Sequence, residues 1–155
     1  MNDRSNHIMS NSNITLIIGP NIPFEQLLAL YNSVGWTAYT NEQAQDRLVL
    51  AIQNSTYVVT AWDGDRLVGL ARAMSDDVAI FYLKDILIHP EYQRQGIATR
   101  LLRHCLERFE HVRNKVLLTD DEERQLRFYE KMGYTNTRNS RIPLNAFVQI
   151  RGIDL

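Results

Sequence analysis

The chain has 155 residues, 45% of them hydrophobic and 23% charged, which suits one compact domain with its own core and excludes a fibrous or low-complexity chain. Lysine plus arginine number 17 and aspartate plus glutamate 18, a formal charge of -1 that is ill suited to non-specific binding of nucleic acid. The single cysteine, Cys105, excludes an internal disulfide and any CxxC metal or redox pair.

The first thirteen residues, MNDRSNHIMSNSN, are polar and lack an apolar core of the signal-peptide kind. They are expected to form a frayed tail, residues 1–13, before a single domain over 14–155. No segment approaches the roughly 18 apolar residues of a membrane span, so a cytoplasmic protein without a membrane partner is expected. ITLIIG at 14–19 reads as a first strand closed by Gly19-Pro20. Pro23 suits the start of a helix whose apolar face is Phe24, Leu27, Leu28 and Tyr31, ended at Gly35. Thr40 and Gln43 have capping-box spacing for a second helix with Ala44, Leu48, Ala51 and Ile52 inward. TYVVTAW at 56–62 and RLVGLARAM at 66–74 flank Asp63-Gly64, a two-residue hairpin signal.

AIFYLKDILI at 79–88 is the longest strand-like run and stops at His89-Pro90. The period then changes to 3.6, with Ile97, Ala98, Leu101, Leu102, Cys105, Leu106 and Phe109 on one face. Cys105 on that face reads as a small buried hydrophobe. KVLLT at 115–119 reads as a short strand, and 121–132 as a helix with acids at its start and Gly133 after its end. A last strand pair is expected at 134–139 and 145–150. Alternation of strand and helix after residue 79 predicts an α/β fold with a partly parallel sheet and helices on both faces.

The segment ILIHPEYQRQGIATRLL at 86–102 carries the strongest chemical signal. A strand ends, a loop follows, and Gly96 opens a helix without a side chain in the way. First-turn amides of a helix lack intrahelical partners and sit at the positive end of its dipole, which makes an anion site. Arg94 and Arg100 add charge nearby. The string is neither a Walker A loop nor a GxGxxG fingerprint.

It resembles the acyl-CoA motif Gln/Arg-x-x-Gly-x-Gly/Ala of the GCN5-related N-acetyltransferases (GNAT), here Gln93-Arg94-Gln95-Gly96-Ile97-Ala98 with Ile88 and Pro90 before it. A second string, Phe128-Tyr129-Glu130-Lys131-Met132-Gly133-Tyr134, resembles the end of that family's late helix. The resemblance covers about residues 14 to 150. It implies a mixed sheet of about seven strands with about four helices, partly open like a V between the strand ending at Ile88 and the strand at 115–119. It also implies acetyl-CoA as acyl donor and direct transfer to an amine.

By the same resemblance, Ile86, Leu87 and Ile88 would bind the pantetheine arm. Gln93 would belong to the cofactor site as the first motif residue, amides around Arg94, Gln95, Gly96, Ile97, Ala98 and Thr99 would hold the pyrophosphate, Phe128 would sit beside the cofactor, and Tyr129 would protonate the leaving thiolate. Glu122 stands where many members have an Asn that contacts the CoA arm. The acidic run Asp120-Asp121-Glu122-Glu123 either recruits a cationic substrate or stabilises the helix end.

The attacking amine must be neutral. With a pKa of about 10, holding it so at neutral pH costs roughly 4 kcal/mol. Asp85 is the candidate base, and a buried acid there would equally well hold a loop by hydrogen bonds. Trp36, Tyr39 and Tyr82 are candidates for the acceptor wall, or else packed aromatics. No metal cluster is expected. The favoured reading is acetylation of a small primary amine. A non-catalytic acyl-CoA-binding module and a protein-lysine acetyltransferase are the alternatives. The apolar segment RIPLNAFVQIRGI suggests a homodimer contact at a sheet edge.

Overall fold

Among the described residues, runs of β-branched and aromatic residues form five strands, and four segments with helical spacing form α-helices. The computed structural model describes residues 13–155, so the expected tail lies, except for Asn13, outside the described residues. The described residues divide into two compact units, one ending at Leu118 and the other spanning Thr119–Leu155.

In the first unit the strands are β1 (Ile14–Ile18), β2 (Tyr57–Asp63), β3 (Arg66–Ser75), β4 (Ile80–Ile88) and β5 (Asn114–Leu117), and the helices are α1 (Phe24–Ser33), α2 (Gln45–Gln53) and α3 (Ile97–Arg108). The sheet order is β1-β2-β3-β4-β5. The first three pairings are antiparallel, and β4 to β5 is parallel. A parallel pair needs a crossover, and α3 supplies it. The β2–β3 hairpin turns where Asp63-Gly64 predicts, with Asp63 opposite Arg66 and Gly64 at φ 57.

Two cores sandwich the sheet. On one face Leu27, Leu30 and Tyr31 of α1 and Leu48 and Ile52 of α2 pack with Val58, Leu67, Leu70 and Leu87. Each fully buried side chain of this size contributes about 1.5–3 kcal/mol. On the other face α3 buries Ile97, Leu101, Leu102 and Cys105. It lies close because residue 69 is glycine: a Cβ there would stand 2.9 Å from Ile88 Cδ1 and 3.2 Å from Leu101 Cδ1.

The second unit holds α4 (Glu123–Lys131) and a short 3-10 turn at Thr137–Asn139. Arg127 pairs with Glu123 one turn before it, and Gly133 follows the helix at φ 94, the left-handed conformation expected after a helix end.

The structure corrects the expected seven strands to five among the described residues. Residues 134–139 and 145–150 form no strands: 137–139 wind into a 3-10 turn, and an extended segment becomes a strand only with a partner for its backbone groups. Thr40 is not the cap of α2. Ala44 precedes the helix without a side-chain cap, Asn41 accepts from the Gln43 amide at 3.1 Å, and the Thr40 hydroxyl donates to Asn32 Oδ1 at 2.5 Å.

Candidate acetyl-CoA site and acceptor wall

The candidate site begins where the sheet opens. The β4–β5 ladder pairs Ile80 to Leu83 with Asn114 to Leu117 and stops there. Lys84 to Ile88 therefore run on without a β5 partner. The backbone edge of Ile86, Leu87 and Ile88 is left on that side for something other than a strand, as the expected V requires.

Beyond Ile88 the chain makes a 3-10 turn, Pro90–Tyr92, and then the loop into α3. Arg94 and Gly96 both have positive φ, 63 and 79. Such left-handed residues turn successive amides toward a common concavity and are costly for a residue with a Cβ. Gly96 is the residue before α3 and makes no side-chain cap, and the amide of Arg100 bonds its carbonyl at 3.0 Å. The amides of Ile97, Ala98 and Thr99 fill the first turn, at the positive end of a twelve-residue helix. A pyrophosphate fits this donor set, and an amide-bearing arm fits the unpaired β4 edge. Arg94 is exposed beside the loop, while Arg100 donates to the carbonyl of Ile14 at 3.0 Å.

The loop is anchored on both sides. Gln93 uses its side chain structurally, Nε2 donating to the carbonyl of Ile88 at 3.1 Å. His89 Nδ1 accepts from the Glu91 amide at 3.1 Å. The β2–β3 hairpin end grips the turn: the Tyr92 hydroxyl donates to Asp63 Oδ2 at 2.5 Å, Arg66 pairs with Glu91 at 3.0 Å, and the Arg66 guanidinium lies 5.4 Å from the Tyr92 ring centre.

The opposite face carries the acceptor candidates. On β4, Asp85 faces Arg72 and Leu83 faces Ala73, so Lys84 has no partner on β3. This bulge sets two consecutive side chains to one face. Asp85 Oδ2 receives Arg72 Nε at 2.5 Å and the Tyr31 hydroxyl at 3.0 Å, and Lys84 Nζ lies 3.4 Å from Asp85 Oδ1. Arg72 and Asp85 are buried, their side chains 5% and 4% exposed. Burial by itself would lower the Arg72 guanidinium; the adjacent Asp85 outweighs it and holds Arg72 above its ordinary value. Burial, with the Asp85 charge added, pushes the Tyr31 hydroxyl well up.

The Trp36 and Tyr39 rings meet the Tyr31 ring edge-on at 5.8 and 6.0 Å between centres, and Lys84 Nζ lies 5.9 Å from the Tyr39 ring centre. Tyr82 shares the face of Lys84 by strand alternation. The structure thus gathers Trp36, Tyr39 and Asp85 into one cluster and shows Asp85 engaged with two cations and a hydroxyl. Such contacts accord with the reading of Asp85 as a buried acid that holds its surroundings by hydrogen bonds. Sequence reasoning missed Arg72, Tyr31, Lys84 and the Asp63–Tyr92 clamp. The signal for the first was a lone charge inside the apolar run RLVGLARAM.

In the second unit, Phe128 and Tyr129 sit side by side on α4, ring centres 5.1 Å apart, and Tyr134 approaches Tyr129 at 6.1 Å. Burial pushes the Tyr129 hydroxyl up to about 12. Glu122 immediately precedes α4 and accepts from Gln125 Nε2 at 3.3 Å. Burial likewise pushes the Cys105 thiol up to about 12, which keeps it protonated and inert. Among the described residues no group of three or more His, Cys, Asp or Glu is placed to hold a metal, and no helix is long and apolar enough to cross a membrane.

The first unit is thus an open, mixed α/β sheet in which the β4 edge lacks a β5 partner beyond Leu83 and the next helix starts with amides able to take an anion. The family model for the acetyltransferase (GNAT) domain matches residues 28–143, and the chain belongs to that family, whose acyl donor is acetyl-CoA. Among solved structures, a GNAT-family acetyltransferase from Streptococcus pneumoniae superimposes with a TM-score of 0.77 at 30% identity, over 90% of this chain and 99% of that one.

Among curated proteins the chain is 32% identical, over 120 residues, to an uncharacterized N-acetyltransferase, ycf52-like, from Prochlorococcus marinus, covering 74% of this chain and 62% of that protein. It is 29% identical to the histone acetyltransferase TAP1 of Glycine max over 132 residues, 75% of this chain and 53% of that protein. The chain thus spans about half to two-thirds of the length of these curated relatives.

Proposed function

We propose that the protein is an N-acetyltransferase that moves the acetyl group of acetyl-CoA directly to a small primary amine. The observation that carries this is the β4 edge left unpaired beyond Leu83, leading into the Arg94–Gly96 loop and the uncapped start of α3. When bound, acetyl-CoA supplies an acyl group already activated as a thioester. The amides from Arg94 to Thr99 would hold its pyrophosphate, with Gln93 bracing the loop through its side chain, Ile86 to Ile88 would align its arm, and Phe128 would pack beside it. The amide of Ile88, which faces the open edge because His89 donates to Val68 of β3 and antiparallel amides alternate, would stabilise the oxyanion. Tyr129, kept protonated by burial, would give its proton to the departing sulfur.

Trp36, Tyr39 and Tyr82 form the acceptor wall. With Asp85 committed to Arg72, the amine proton leaves through water. The aromatic cluster favours a compact ligand over a protein lysine, although one curated relative carries the name of a histone acetyltransferase. The exposed apolar residues of the segment 141–153, led by Phe147 at 95% exposure, support pairing of two copies.

The test is release of CoA across a panel of amines by the wild type and Tyr129→Phe, with acetyl-CoA binding measured alongside. The variant should bind acetyl-CoA normally and lose roughly 10- to 10⁴-fold in kcat. Full kcat in the variant, where chemistry limits the rate, removes Tyr129 from the mechanism. Binding of acetyl-CoA without transfer to any amine identifies a binding module.

A further inference from the structure

The charges around the acceptor wall do not cancel. Asp85 is a single carboxylate shared by Arg72 and Lys84. Its Oδ2 is occupied by Arg72 Nε and the Tyr31 hydroxyl, and only the longer 3.4 Å contact reaches Lys84. Tyr31 stays neutral, so the cluster of Arg72, Asp85, Lys84 and Tyr31 keeps one positive charge. Arg72 is buried with the carboxylate. The uncompensated charge therefore resides on Lys84, whose side chain is 39% exposed.

The β4 bulge puts this ammonium where it is: in regular pairing Lys84 and Asp85 would point to opposite faces. Here Lys84 lies on the aromatic side, near the Tyr39 ring, and is the first β4 residue beyond the end of the β5 ladder. Burial alone would make Lys84 easier to deprotonate; Asp85 and Tyr39 outweigh that and raise it, so it is a cation at neutral pH. An ammonium has three donors and no acceptor. It is a poor neighbour for a second cation and a good one for an anion.

We infer that Lys84 is a specificity-determining residue that binds a carboxylate on the acceptor, so that the preferred substrate is a small amine that also carries a carboxylate, with an aromatic or apolar body against Trp36 and Tyr39. This rests on the reading of that wall as the acceptor site. It disfavours polyamines and aminoglycosides, which bring only positive charge.

Two arms test it. In the first, transfer is measured on matched amines with and without the carboxylate, tyrosine against tyramine and ornithine against putrescine, for wild type, Lys84→Met and Lys84→Arg. A hydrogen-bonded charge contact predicts a preference of about 10-fold or more in kcat/KM for the carboxylate-bearing partner. That ratio should fall to about one in Lys84→Met and be kept in Lys84→Arg. A wild-type preference for the decarboxylated partner, or an unchanged ratio in Lys84→Met, overturns the inference.

The second arm needs no turnover. Calorimetric titration of 3-phenylpropanoate into CoA-saturated protein should show binding to wild type and Lys84→Arg and at least about 10-fold weaker binding to Lys84→Met. Equal binding to all three, or none to wild type, overturns the inference. If no amine is acetylated while the probe still binds through Lys84, the enzymatic reading fails and the carboxylate site stands.

Discussion

Asp85 and Arg72 show how one residue's surroundings decide its job. A carboxylate on the central strand of a candidate acetyltransferase reads as a base until its partners are known. With Arg72 Nε 2.5 Å away and both side chains buried, removing one charge strands the other in low dielectric. Asp85→Asn should therefore cost about 3–5 kcal/mol of stability by urea denaturation. Where the variant remains folded, it should keep most of its kcat. A stable variant with abolished kcat would restore Asp85 as the base.

Tyr129 carries the complementary prediction. Its raised hydroxyl holds the proton to higher pH, the form a general acid needs. The ratio of wild-type to Tyr129→Phe kcat should stay flat between about pH 7 and about pH 10. A ratio that collapses as pH rises through about 8 would mean the proton leaves early and another group is the acid.

At the scale of elements, the loop between β4 and α3 depends on the hairpin between β2 and β3. The Asp63–Tyr92 and Arg66–Glu91 contacts hold the Pro90–Tyr92 turn, and the cradle follows directly from that turn. Tyr92→Phe removes only the hydroxyl. It should weaken acetyl-CoA binding by roughly 3- to 10-fold, the range expected for losing one charge-assisted hydrogen bond at a half-buried site that only braces the loop, and leave kcat at saturation in place. An equal fall in kcat with no change in acetyl-CoA affinity would detach the clamp from the cradle.

Gly96→Trp acts on the cradle itself. It puts a side chain on a backbone at φ 79, a region costly for any residue with a Cβ. Calorimetry on the folded variant should show acetyl-CoA binding lost, and unchanged affinity would move the pyrophosphate elsewhere. Gly96 and its loop were legible in the sequence because their chemistry is local: a glycine, a strand end before it and an amphipathic helix after it. The clamp was not legible, because Asp63 and Tyr92 lie twenty-nine residues apart and meet only through strand pairing.

For the whole molecule, the exposed segment 141–155 holds the remaining question. Ile142, Leu144, Phe147, Ile150, Ile153 and Leu155 are all exposed, a surface more often covered than left to water. Sedimentation at tens of micromolar should show a dimer, and Phe147→Asp should shift it to monomer; a monomeric wild type dismisses pairing through this segment.

Sequence alone determined the order of the main elements, the hairpin turn at Asp63-Gly64, the apolar face of α3 and the glycine that opens it. Each of these is written in spacing or in a residue's own backbone freedom over a dozen neighbours or fewer. Tertiary structure decided what those patterns could not hold. Residues 145–150 have strand composition and yet no strand, since a strand is a property of two segments. Asp85 is engaged rather than free because Arg72 and Tyr31 converge on it from β3 and α1. Lys84 joins the aromatic wall because a bulge, visible only in the register of β3 against β4, turns it there.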